Sequence, residues 1–117
     1  MAGLGIGMSF EGFYPVVYFE RHDFMLGAMD ALINHIDKIE RISHGEFKVP
    51  ILIRAVTADA GPFYSGITHS QDFTNILRVG VELPVLDPMD GTQVLNAFRQ
   101  AYQSKSPVIV VERKSLY

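Results

Sequence analysis

Apolar residues fall along this chain in blocks of two kinds. Short runs rich in β-branched and aromatic residues occur at Tyr14 to Phe19 (Tyr-Pro-Val-Val-Tyr-Phe), Pro50 to Arg54, Val81 to Leu86 and Val108 to Val111. Such runs predict buried strands. The other kind is periodic. Met25, Met29, Leu32, Ile36 and Ile39 recur at spacings of four and three, the stripe of an amphipathic helix. Val94, Leu95, Phe98, Ala101 and Tyr102 form a second inward stripe. Ala2 to Glu11, rich in Gly and Met, predicts a short, tightly packed helix that Gly12 breaks.

Local punctuation fits these elements. Asp23 and Asp90 stand where N-caps belong, and Thr68 or Ser70 is placed to cap a short helix running to Leu77. Ser43-His44-Gly45 supplies a helix stop, with Gly45 suited to the left-handed position. Ser106-Pro107 ends the last helix, and Pro84 puts its strand at a start or an edge. Strands without polar alternation, separated by helices, predict a doubly wound α/β fold. Its sheet is mostly parallel, of about four strands, with helices on both faces. Ligands of such sheets sit beyond the carboxyl ends of the strands. Those ends are Glu20-Arg21-His22-Asp23, the loop Arg54 to His69, Asp87 to Asp90, and Glu112-Arg113.

Composition narrows the function classes. A length of 117 residues predicts one domain, 1–117, and 48% hydrophobic with 20% charged residues is ordinary globular usage. The net charge of −3 is spread along the chain, without the basic stripe that nucleic acid requires. With no cysteine there is no disulfide, thiolate nucleophile or Cys-rich zinc site. No segment reads as a signal peptide and no apolar run reaches membrane-spanning length. The expectation is a cytoplasmic protein with no membrane or nucleic-acid partner.

Candidate chemistry gathers at two strand ends. The run Gly61-Pro62-Phe63-Tyr64-Ser65-Gly66-Ile67-Thr68-His69-Ser70-Gln71 follows a buried strand across a long loop, and long loops in compact domains are often functional. His69 there fits a proton donor or acceptor, or equally a helix-start histidine bonded to a carbonyl. Glu20 and His22 fit either a proton-shuttling pair or a solvated turn capped by Asp23. Phe24, at a strand-to-helix junction, fits core packing or stacking on a flat ligand. Gly3-x-Gly5-x-Gly7 has neither the spacing nor the preceding strand of a dinucleotide fingerprint, and fits close helix packing. No histidine pair has ligand spacing, so no metal site is expected.

Taken in order, these segments resemble the pyrimidine-binding domain of thiamine-diphosphate enzymes. The likeness is to the beta subunit of the 2-oxo acid dehydrogenase decarboxylase component and to the central region of transketolase. It rests on Ala2-Gly3-Leu4-Gly5-Ile6-Gly7-Met8, on Pro15-Val16-Val17-Tyr18-Phe19 with Asp23-Phe24, Ala28, Asp30 and Ile33-Asn34, and on Val49-Pro50-Ile51, Arg54, Gly61 and His69-Ser70-Gln71. Asp87-Pro88 and Pro107 to Glu112 with Leu116-Tyr117 complete it. The resemblance implies that Phe24 stacks on the aminopyrimidine and that His69 faces the substrate. Glu20 and His22 then fall in the pocket wall, where the family commonly carries apolar or aromatic residues. It further implies that the chain starts after the family's first strand and helix, which carry the cofactor-activating glutamate. The diphosphate-binding domain, with its Gly-Asp-Gly metal motif, is not among the segments matched. The expected cofactor is therefore thiamine diphosphate with magnesium, bound only when a partner subunit supplies the diphosphate site. The expected assembly is a homodimer or higher homo-oligomer, inactive as an isolated chain. The alternative is a non-catalytic homo-oligomeric binding or assembly module on the same fold.

Overall fold

The computed structural model describes residues 1–59 and 65–117. Helix α1 (Ala2–Phe10) leads into β1 (Val16–Phe19). A helical passage follows: α2 (His22–Met25), a 3-10 turn (Leu26–Ala28), a π-helical stretch (Ala31–Ile36) and α3 (Ile39–Ile42). Then come β2 (Leu52–Thr57), a 3-10 turn (Ile67–His69), α4 (Thr74–Gly80) and β3 (Val85–Leu86). Helix α5 (Gly91–Gln103), β4 (Val108–Arg113) and a closing 3-10 turn (Lys114–Leu116) end the chain. The strands form one four-stranded sheet in the order β1-β2-β4-β3, parallel throughout. This is the α/β fold with flanking helices that the apolar pattern predicts.

Alternation along the strands sorts the core into two layers. Val17, Phe19, Ile53, Ala55 and Ile109 point to one face, where Ala2, Met25, Leu32, Ile36 and Leu77 of the helices cover them. Leu52, Val108 and Val110 point to the other, covered by Ala97 and Ala101 of α5. Among the described residues only helix α5 covers that second face, and Val16 and Tyr18 of β1 stay substantially exposed there.

Several local expectations are corrected. The Met25-to-Ile39 stripe does not make one regular helix. It bends through 3-10 and π-helical turns, and the Asp37 N–H bonds Leu32 five residues back. The residue that follows this wide turn anchors a distant segment, since the Asp37 carboxylate accepts from the backbone N–H groups of Glu82 and Leu83, both at 2.8 Å. Val81 to Pro84 are not strand, because only Val85 and Leu86 pair with β4. The strand expected at Pro50 to Arg54 instead runs from Leu52 to Thr57. Neither Thr68 nor Ser70 caps α4; the Asp72 carboxylate accepts from Thr74 N. Leu95 and Tyr102 of α5 are exposed, because the strip of sheet beneath α5 is narrow. Asp90 does cap α5, accepting from Gln93 N at 2.8 Å, and Gly45 does take positive φ at the helix stop.

The glycines of α1 differ sharply in what surrounds them. A Cβ on Gly5 would sit 2.7 Å from Ile51 Cδ1 and 3.0 Å from Val17 Cγ2, whereas one on Gly3 meets nothing within 4 Å. Alanine gains roughly 1 kcal/mol over glycine inside a helix. Forcing an extra carbon into a packed core costs about 1–3 kcal/mol. Gly3→Ala is therefore expected to stabilise the protein and Gly5→Ala to destabilise it, each by about 1 kcal/mol, read from urea midpoints. A shift of the same sign in both variants would contradict this packing.

Candidate functional site

Strand β1 ends at Phe19, and the chain turns at once into α2. That turn delivers Glu20, Arg21 and Phe24 to the carboxyl edge of the sheet. The excursion after β2 returns Ser65 and His69 to the same place. Together these five residues line a hollow of about 120 Å³. The Phe24 ring is half exposed. It meets the His69 imidazole edge-on, with centroids 5.5 Å apart at 89°. The Thr68 hydroxyl lies 3.0 Å from His69 Nδ1. Of the residues singled out in the sequence, Phe24, His69 and Glu20 are thus brought together. Gly61 and its neighbours through Tyr64 lie outside the described residues.

His22 is placed differently. Its side chain is fully buried and does not line the hollow. Nδ1 accepts from the Phe73 N–H at 3.0 Å, which leaves Nε2 to donate to the Ala55 carbonyl at 3.3 Å. Burial lowers the His22 pKa from its ordinary value, against the opposing pull of Asp72 and of the Ala55 bond. Glu20 and His22 therefore do not meet in one cavity, and no proton passes between them in this arrangement.

The charged turn acts as a clamp. Arg21 donates to Ser65 Oγ at 3.3 Å, and His22 accepts from Phe73 N. Asp23 accepts from Gln71 Nε2 at 2.7 Å and from Gln71 N at 3.4 Å. Three consecutive residues thus hold three points of the returning segment on either side of His69. Asp23 does not cap α2, whose N-cap position is Arg21 and carries no side-chain cap bond. Residue types alone did not distinguish a cap from a clamp. The one sequence signal was the presence of Gln71, a long amide that can reach the turn.

Behind the clamp, Arg113 at the end of β4 ties the strand ends together. Its guanidinium donates twice to Asp87 at 2.8 Å and once to Asp72 at 3.2 Å. These bonds raise its pKa, so it remains a fixed cation. On the opposite face of the sheet, Arg54 makes a bidentate pair with Glu112 at 2.6 and 2.8 Å, with its guanidinium over the Tyr18 ring. Among the described residues, no three His, Asp or Glu side chains cluster closely enough to hold a metal ion. No described helix is long and apolar enough to cross a membrane.

The hollow offers one aromatic face beside polar side chains.

Comparison with known proteins identifies relatives along the whole chain. The chain is 30% identical over 115 residues to the pyruvate dehydrogenase E1 component subunit beta of Pisum sativum, covering 98% of this chain and 32% of that protein. The Ascaris suum subunit is 31% identical over 119 residues, with 100% and 32% covered. The Rickettsia felis subunit is 30% identical over 116 residues, with 99% and 35% covered. The chain therefore spans about a third of the length of the curated relatives it matches. The model of the transketolase pyrimidine-binding domain matches residues 1–117. A parallel sheet whose carboxyl edge presents an aromatic ring and a histidine, matched over its whole length by that model, belongs to the transketolase pyrimidine-binding domain family.

Proposed function

We propose that this chain supplies the pyrimidine side of a thiamine diphosphate site completed by a second chain that holds the magnesium diphosphate. The observation that carries this reading is the edge-on Phe24–His69 pair facing one hollow at the carboxyl ends of β1 and β2. Phe24 offers its exposed ring face to the aminopyrimidine. Glu20 lines the wall beside it. His69, on the far side of the ring, faces the substrate and is placed to hold or transfer a proton. His22 acts through position: its two buried hydrogen bonds keep the segment bearing His69 at that height. When bound, the cofactor supplies a nucleophilic carbon for chemistry at a carbonyl. The relatives are named as subunits of a larger component, which supports a partner chain here.

Calorimetric titration with thiamine diphosphate and magnesium tests this, with and without a diphosphate-binding subunit. Heat of binding is expected only in the mixture. Phe24→Ala should weaken it several-fold, as loss of about 1 kcal/mol of ring stacking implies. Absence of binding in both arms would sink the reading.

A second reading, a homo-oligomeric assembly module, is favoured by one observation. Met1, Leu4, Met8, Pro15, Val16 and Tyr18 line an apolar groove of about 410 Å³ along β1, whose outer edge pairs with no described strand. Unpaired edges with apolar surface favour association. Under this reading, sedimentation of the same samples shows a homo-oligomer that thiamine diphosphate leaves unchanged. A cytoplasmic location is part of the proposal.

A further inference from the structure

Arg21 is the least expected member of the hollow. The residue is 9% exposed, yet it carries a full positive charge. A guanidinium has five N–H donors. Here Nη1 donates to the Glu20 carbonyl at 2.8 Å and Nη2 to Ser65 Oγ at 3.3 Å, and buried Nε has no hydrogen-bond partner. Among the described residues, no carboxylate forms an ion pair with it. Residues 60–64 (Ala-Gly-Pro-Phe-Tyr) contain no acidic side chain that could do so. The contrast with the other arginines of the sheet is plain. Arg54 and Arg113 each grip a carboxylate through two bonds.

A buried charge without a counter-charge is unfavourable. A guanidinium fork is the side chain best matched to a planar or tetrahedral oxyanion. We infer that Arg21 makes the hollow an oxyanion-binding site, which takes a carboxylate or phosphate group of the ligand between Arg21 and His69. The Ser65 side chain and the His69 ring border the same space, and the His69 ring is able to donate to such a group. Glu20 also lines the hollow, and its carboxylate repels an incoming anion. Glu20 thus sets a threshold: it disfavours weak anions and is relieved when the anion is held by Arg21. The place of the anion beside Phe24 rests on the cofactor reading above, but the binding itself does not.

The test is a titration of the 117-residue chain, without cofactor, followed by amide shifts in two-dimensional nuclear magnetic resonance. The probes are sodium acetate and inorganic phosphate, with sodium chloride at matched ionic strength as reference. Saturable shifts at Arg21, Ser65 and His69 are expected with acetate or phosphate and not with chloride. Tighter acetate binding assigns a carboxylate, and tighter phosphate binding a phosphate ester. Arg21→Gln should weaken binding at least tenfold. Arg21→Lys keeps the charge but not the fork, and should weaken it less. Glu20→Gln should tighten it. Arg21→Lys and Glu20→Gln also keep the test decisive if Arg21→Gln fails to fold. Shifts identical to those in chloride, or unchanged affinity in the Arg21→Lys and Glu20→Gln variants, would overturn the assignment. Because no thiamine diphosphate is present, failure here is separable from failure of the cofactor titration.

Discussion

Replacing Arg54 with methionine is expected to destabilise the protein by about 3 kcal/mol, the low end of the cost of breaking a buried ion pair from one side. The reason lies in Glu112. Its side chain is 6% exposed, and both its oxygens are held by Arg54. Sheet register explains the pairing: Arg54 lies opposite Val110, so Glu112 is its diagonal neighbour on the same face. Removal of Arg54 strands that carboxylate in a low-dielectric layer beside Val110 and leaves, among the described residues, Tyr117 to donate to it. The value stays at the low end because 37% of the Arg54 side chain reaches solvent, where water screens the charge. Arg54→Met with Glu112→Leu should recover most of the loss, since an apolar pair of similar volume replaces a buried ion pair at little net cost. Urea unfolding of the three variants decides the matter. A double variant no better than the single one would show that Arg54 acts by packing on Tyr18 and Phe98 rather than through Glu112.

His22→Leu is expected to cost about 3 kcal/mol, or roughly 10 °C in the unfolding temperature of a domain this size. It removes the acceptor for the Phe73 N–H and the donor to the Ala55 carbonyl, both at a fully buried position. The same residue sets a pH dependence whose sign follows from burial. In the folded protein the His22 pKa is lowered. In the unfolded chain it returns to about 6.5. The folded state therefore binds fewer protons, so stability is fully present above about pH 6.5 and is lost as pH falls towards the lower folded value. Thermal unfolding between about pH 7 and about pH 5 should show a falling midpoint in the parent and a flatter line in His22→Leu. Parallel lines would assign the acid sensitivity to other groups.

The apolar pattern revealed the strands and helices because burial on both faces leaves long unbroken runs, as in β4. It did not reveal how far each helix reaches over the sheet. Leu95 and Tyr102 match the α5 stripe by spacing, yet they overhang a strip made only of Leu52, Val108 and Val110. The π-helical turn was invisible for a related reason. Its mark is a backbone bond, from Asp37 N–H to the Leu32 carbonyl, which no residue type in the stripe announces. At the site, the order of segments marked Phe24 and His69 as site residues by resemblance, and the structure adds that their rings touch. Side-chain direction at Glu20, Arg21 and His22 was not legible. There the chain passes from strand to helix within two residues, and a single backbone turn decides which of the three faces the hollow and which faces the core.

The clamp formed by Arg21, His22 and Asp23 fixes the returning segment to the start of α2, close beside its tie to β4 through Asp72 and Arg113. Phe24 belongs to the same short helix. The aromatic platform and the imidazole therefore ride on one carrier. If a docking subunit tilts this corner of the domain, ring and histidine travel together and their separation is preserved. The approach to the hollow can then widen or narrow while the distance between ring and imidazole stays fixed.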